Sequence, residues 1–191
     1  MTTESPADLN QCYARLFRLL RSDLRAKALW MYDRVSTKTI IKTLLTDGTF
    51  AMVMYRLMHA AHRYRLTPLA MLFNKLNPCI IGRSANFGPG FVLIHSQGVV
   101  INTGVIGGRN VYIEHQVTIG AEKQQAPVIG DNVFIGAGAK ILGAVRIGND
   151  VKIGANAVVT KDVPDGATVV GIPAKVVKLY GKPTSHSVNS V

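Results

Sequence analysis

Apolar residues recur every six positions from Val128 to Val163, a stretch that divides into VIGDNV FIGAGA KILGAV RIGNDV KIGANA VVTKDV. Ile129, Ile135, Ile141, Ile147, Ile153 and Val159 keep the spacing, and Gly130, Gly136, Gly148 and Gly154 follow four of them. A helix repeats its apolar positions every three to four residues and an ordinary strand every second one. A six-residue period instead predicts a parallel β-helix, each block one short strand and a turn. Four residues after each aliphatic stands a small one, Val133, Ala139, Val145, Val151, Ala157 or Val163, which suits a tight prism corner.

The period extends back to Pro78. Phe87, Leu93, Val99, Val105, Val111 and Val117 lie six apart, and Ile101, Ile113 and Ile119 form a second track. A one-residue slip near Ile106-Gly107-Gly108 and the polar segment Ala121 to Pro127 interrupt it, the second reading as a loop that leaves the prism. Eighteen residues per coil would give roughly five coils, about 4.8 Å apart. Before Pro78 the period is helical. Leu9, Tyr13, Leu16, Leu20, Leu24, Ala28 and Met31 predict an amphipathic helix, with Arg15, Arg18, Arg21 and Arg25 between them. A second helix is expected over Ser36 to Leu45, a third from Asp47 as its cap to Thr67-Pro68, and a short fourth over Leu69 to Leu76. The expected division is a helical region at 1–77, a β-helix domain at 78–178 and a polar tail at 179–191. Residues 1–7 read as a frayed end and the tail as loose.

Composition narrows the setting. The chain has 191 residues, 48% hydrophobic, and no apolar run near the length of a membrane span. With no secretory signal pattern, a cytoplasmic location is expected. Cys12 and Cys79 read as two ordinary thiols, and His59 and His62 lack a third ligand nearby, so no metal is expected. The net charge of +11 is concentrated in the first 78 residues. Such a charge attracts phosphates, as in a nucleotide cofactor or an anionic membrane surface. Nucleic acid is not expected, because no recognition motif accompanies the charge. The basic first helix is expected to pack on the fold with a solvated face, peripheral contact with anionic lipid being the sharper reading.

The segment VIGDNVFIGAGAKILGAVRIGNDVKIGANAVVTKDVPDGATVVGIPAKVV resembles the C-terminal half of hexapeptide-repeat acyltransferases, which fold as left-handed parallel β-helices. The upstream segments FAMVMYRLMHAAHR, GPGFVLIHSQGVVIN and VYIEHQVTIG narrow the resemblance to the serine acetyltransferase-like branch, over about residues 47 to 178. The resemblance implies a homotrimer that binds acetyl-coenzyme A in clefts between neighbouring prisms. It also implies a histidine that deprotonates an acceptor hydroxyl, here His95. A hydroxyl needs a base in the transition state, and neutral imidazole is well matched to that task near neutral pH. Sharing the phase of Ile101 and Ile113, His95 could instead point into the prism. His115, twenty residues on, is a second candidate, as proton partner or acceptor contact. Asn102 and Gln97 are candidate acceptor contacts, Asn102 also fitting a turn ladder. On the coenzyme side the resemblance assigns Gly120, Ala121, Ala137 and Ala155, small enough to let the pantetheine arm lie close, with Lys152 and Lys175 for phosphates.

Departures bear on the acceptor. True serine acetyltransferases carry an acid where this chain has Ile94, a second where it has Ile80, and an Arg-His pair where it has Gln125-Ala126. Those charges would hold the ammonium and carboxylate of serine. The chain is similar to acetyltransferases of bacterial exopolysaccharide biosynthesis, including the colanic acid type. The expected acceptor is therefore a sugar hydroxyl, on a lipid-linked or nucleotide-linked saccharide. Serine acetyltransferase is the enzyme alternative, and a non-catalytic β-helix that binds or assembles is the third reading.

Overall fold

A computed structural model describes residues 6–184 of the chain. The expectation of a frayed start falls largely on residues 1–5, outside the described residues; residues 185–191 of the expected loose tail also lie outside them, but its described part is ordered, Lys182–Pro183 pairing as a strand with Lys178 and Leu179. Four helices come first: α1 Pro6–Tyr32, α2 Thr37–Leu44, α3 Thr49–Arg63 and α4 Thr67–Leu76. Ser36 caps α2 with a reciprocal pair of bonds to Thr39. Two boundaries differ from expectation. Asp47 does not cap α3; Gly48 holds that place, and the Asp47 carboxylate turns elsewhere. Pro68 opens α4 instead of closing α3, since its missing N–H costs nothing in a first helical turn.

The remainder is a three-sided parallel β-helix. One side stacks β1 (Ile80–Ile81), β4 (Val100–Ile101), β7 (Thr118–Gly120), β10 (Lys140–Leu142) and β13 (Val158–Val159). The second stacks β2 (Asn86–Phe87), β5 (Ile106–Gly107), β8 (Val128–Ile129) and β11 (Arg146–Ile147). The third stacks β3 (Val92–Leu93), β6 (Tyr112–Ile113), β9 (Phe134–Ile135), β12 (Lys152–Ile153) and β14 (Ala167–Val170). An antiparallel pair, β15 (Lys175–Leu179) and β16 (Lys182–Pro183), extends the third side. The hexad aliphatics Ile129, Ile135, Ile141, Ile147, Ile153 and Val159 are all buried in the prism. Corner positions in the left-handed backbone region fall to Asn110, Asn132 and Asp150, short polar side chains that tolerate it. Their side chains hydrogen-bond in a ladder, at 2.9 and 3.0 Å.

The register relocates the irregularity. Ile101, Gly107 and Ile113 take successive inward positions, so the phase runs unbroken through Ile106-Gly107-Gly108. An inward glycine looks like a break because it lacks an apolar side chain; the Phe87 ring fills its space. The slip lies instead between β3 and β4, where Leu93 pairs with Ile113 twenty residues on while Ile101 pairs with Ile119 after eighteen. The two extra residues belong to the turn that carries His95.

The helices close the first coils. Tyr55 from α3 packs with Phe87 and Phe91 at ring separations of 6.2 and 5.0 Å, and its hydroxyl donates to the Ala85 carbonyl and accepts from the Phe87 N–H. Asp23 of α1 pairs with Arg56 of α3 through two hydrogen bonds and accepts the N–H groups of Gly90 and Phe91. Arg56 also donates to the carbonyls of Phe87 and Gly88. Burial pushes the Asp23 carboxyl pKa up, with Arg56 opposing. Trp30 lies against Tyr112 and Phe134, on the outer face of the third side. Helix α1 is thus held by inward Asp23, by buried Lys27, whose ammonium donates to the Leu93 carbonyl, and by Trp30, not by aliphatics alone.

Candidate active site

The registers stack Leu93, Ile113, Ile135 and Ile153 on the third side. Two residues beyond each comes a corner position, and these four are His95, His115, Ala137 and Ala155. Backbone bonds tie the corner together: Gln116 N–H to Gln97 O at 2.8 Å, Gly138 N–H to His115 O at 2.9 Å, and Asn156 N–H to Ala137 O at 2.8 Å. One edge of the prism therefore carries two imidazoles above two small side chains. His95 points outward, 52% exposed, so the inward reading of this residue fails. Its two-residue displacement from the inward track, caused by the longer turn, is the reason.

His95 and His115 meet edge to face with ring centroids 5.8 Å apart. Nδ1 of His95 lies 3.1 Å from Oδ2 of Asp47, in the α2–α3 connection. Oδ1 of Asp47 accepts from Ser96 Oγ at 3.0 Å and from the Gly48 N–H at 2.7 Å. Partial burial raises the Asp47 pKa, but the bonds from His95, Gly48 and Ser96 outweigh it and hold the carboxyl below its usual range. An ionised carboxylate only accepts, so this bond requires the proton on Nδ1, and in the neutral ring Nε2 then keeps the lone pair. His115 Nδ1 stands 3.6 Å from Glu114 Oε2. Lys140 sends its ammonium to the Gln116 carbonyl at 2.6 Å, placing a cation on the same corner.

Gln97 shares the histidine turn. Asn102 does not: it follows β4 at the next corner, where its side chain accepts from the Gly104 N–H at 3.4 Å as part of a turn. Gly120 ends β7 and Ala121 opens the expected loop, also away from the histidines. Lys152 and Lys175 are exposed on β12 and β15, toward the far end of the prism. Sequence reasoning missed Asp47, Glu114 and Lys140 as site residues. Glu114 and Lys140 could have been found by counting along the hexads; Asp47, forty-eight residues from His95, could not.

Among the described residues no three His, Cys, Asp or Glu side chains cluster as a metal site, and no helix is long and apolar enough to cross a membrane. His62 meets Ser84 at 3.2 Å, and burial with surrounding arginines pulls His59 down to about 4.

The bacterial transferase hexapeptide family (six repeats) matches residues 126–161. A serine acetyltransferase of Helicobacter pylori is 39% identical over 170 residues, covering 85% of this chain and 94% of that protein. One from Synechococcus elongatus is 34% identical over 183 residues, 90% of this chain and 74% of that protein. Among solved structures, the Neisseria gonorrhoeae serine acetyltransferase superposes with a TM-score of 0.78 at 32% identity, over 95% of this chain and 74% of that one. The soybean serine acetyltransferase complexed with serine gives 0.74 at 35%, over 85% and 69%. These likenesses overturn the expected sugar acceptor and its exopolysaccharide setting. That expectation rested on acids absent beside His95 in the sequence. In the fold an acid does stand at His95, delivered by a different element as Asp47.

Proposed function

The chain belongs to the serine acetyltransferase family of hexapeptide-repeat enzymes, and from that premise we propose that it transfers the acetyl group of acetyl-coenzyme A to the hydroxyl of serine, with His95 as general base. The enzyme is an acetyl-coenzyme A-dependent acyltransferase; the acceptor and the residue roles are our reading. The observation that carries it is the Asp47–His95 pair on the edge that also bears His115, Ala137 and Ala155.

Nε2 of His95 takes the serine hydroxyl proton as that oxygen bonds to the acetyl carbon. The thioester supplies the activated acetyl group. His95 then returns the proton to the departing thiolate, leaving O-acetylserine and coenzyme A. Asp47 holds the ring in the reactive tautomer and faces the imidazolium when it forms. His115, braced by Glu114, lies within reach of the same acceptor. Glu114 offers a carboxylate to the serine ammonium, and Lys140 a cation to its carboxylate. The small side chains of Ala137 and Ala155 leave a groove below the imidazoles for the pantetheine arm, with Lys152 and Lys175 as phosphate partners. Exposed Ile80, Ile106 and Leu142 on the other faces suit packing of three prisms into a trimer.

The test is serine-dependent release of coenzyme A, read with a thiol reagent. Binding of acetyl-coenzyme A without serine-dependent thiol release would sink the acceptor assignment. Sedimentation equilibrium reads the trimer.

A further inference from the structure

The fold buries one cation directly beneath the catalytic pair. Lys27, on α1, is completely buried. Its ammonium donates to the Leu93 carbonyl at 2.8 Å and to the Asp47 carbonyl. Leu93 ends β3, two residues before His95, and Asp47 orients the His95 ring. One side chain therefore ties together both segments whose relative position sets the Nδ1–carboxylate bond. Gly48 shows how close the junction is: a Cβ there would lie 2.4 Å from the Leu93 oxygen and 3.1 Å from Lys27 Nζ.

Stability does not account for this lysine. Burying a cation is costly, and an apolar residue of similar volume is often as good or better for folding. Burial pulls the Lys27 pKa down to about 8, with the charge of Asp47 opposing. That carboxylate is committed to His95, Ser96 and Gly48, so Lys27 has no carboxylate hydrogen-bonded to it among the described residues. Asp23, one turn earlier on α1, is committed to Arg56. What the ammonium does hold is geometry: two carbonyls from segments distant in sequence.

We propose that Lys27 is a positioning residue for the reaction, its ammonium locking the α2–α3 connection to the end of β3 so that Asp47 meets Nδ1 of His95. The role rests on the reading of His95 as general base. It makes α1 part of the catalytic apparatus and not only a cover for the prism.

Ring ¹⁵N NMR of His95 reports which nitrogen carries the proton, and it needs no turnover. The full-length wild type is expected to show the Nδ1–H tautomer. Lys27→Met, folded by circular dichroism, is expected to shift population to Nε2–H and to lower kcat about tenfold with KM for acetyl-coenzyme A within about twofold. In an Asp47→Ala background Lys27→Met should cost less than about twofold more, because the two residues act through one bond. Gly48→Ala disturbs the same junction from the loop side and decides the matter if Lys27→Met does not fold; it too should shift the tautomer. An unchanged tautomer in a folded variant, or losses from Lys27→Met and Asp47→Ala that multiply, would overturn the proposal. If the wild type acetylates no serine, the acceptor reading fails while the tautomer measurement still decides the role of Lys27.

Discussion

Replacing Asp47 with asparagine should harm catalysis more than replacing it with alanine. Oδ1 of Asp47 accepts two hydrogen bonds, from Gly48 N–H and Ser96 Oγ, while Oδ2 faces His95 Nδ1. An amide has one acceptor oxygen, and the two donors hold it on the Oδ1 side. The NH2 group then points at Nδ1, which must accept, and the proton moves to Nε2, where it blocks the base. Turning the amide over would forfeit two hydrogen bonds at about 1 kcal/mol each. The reactive tautomer is thereby disfavoured by about 2 kcal/mol, or roughly 30-fold. Loss of the charge facing the imidazolium adds under about 1 kcal/mol, because both side chains are half exposed and the pair is screened. The expected fall in kcat is about 100-fold for Asp47→Asn, against about tenfold for Asp47→Ala, which leaves Nδ1 to water. Stability should change by less than about 1 kcal/mol in Asp47→Asn, which keeps the two Oδ1 bonds, and fall by about 2 kcal/mol in Asp47→Ala, which loses them. Stopped-time assays of coenzyme A release at saturating substrates, with melting curves on the same samples, measure both. An Asp47→Asn enzyme as active as Asp47→Ala, or within threefold of wild type, would refute the reasoning.

His95→Ala should lower kcat by about 10²–10⁴ while acetyl-coenzyme A still binds, measured by single-turnover kinetics and calorimetry. Arg56→Met strands the buried Asp23 carboxylate, and urea unfolding should show a loss of about 3–5 kcal/mol. The depressed His59 pKa, about 4 against 6.5, means the unfolded chain binds the extra proton in that window, so its contribution to stability is lost as pH falls from 6.5 toward 4. His59→Gln should flatten that decline, by up to about 3 kcal/mol, in unfolding curves taken across the range. Gly107→Val places a side chain where Phe87 packs and should cost at least about 1–3 kcal/mol by the same measurement.

The prism was legible because its physics is local and periodic. Every sixth side chain turns inward, so the hexads report the coil directly; His95, His115, Ala137 and Ala155 become candidates only through the resemblance to hexapeptide-repeat acyltransferases. The twenty-residue spacing puts His115 about one coil from His95, but the exact edge depends on the two-residue lengthening before β4, where the hexad count instead predicts a one-residue slip near Gly107. An inward glycine and a true insertion leave the same gap in a hydrophobic pattern; only the register separates them.

The acceptor was misjudged for a related reason. Ile80, Ile94 and Gln125-Ala126 stand where true serine acetyltransferases carry charges, and from the sequence those positions read as a site without its acids. Asp47 supplies a carboxylate through space, from a loop that reads as a helix cap, and Lys27 holds it there from a helix that reads as amphipathic cover. By itself, then, the sequence determined the repeat and the coil, both consequences of spacing along the chain, and through its motifs the resemblance that singles out the two imidazoles. The tertiary structure alone decided which acid meets His95, which tautomer that acid selects and which buried cation holds the pair. Those are contacts between elements far apart in sequence, and no period along the chain encodes them.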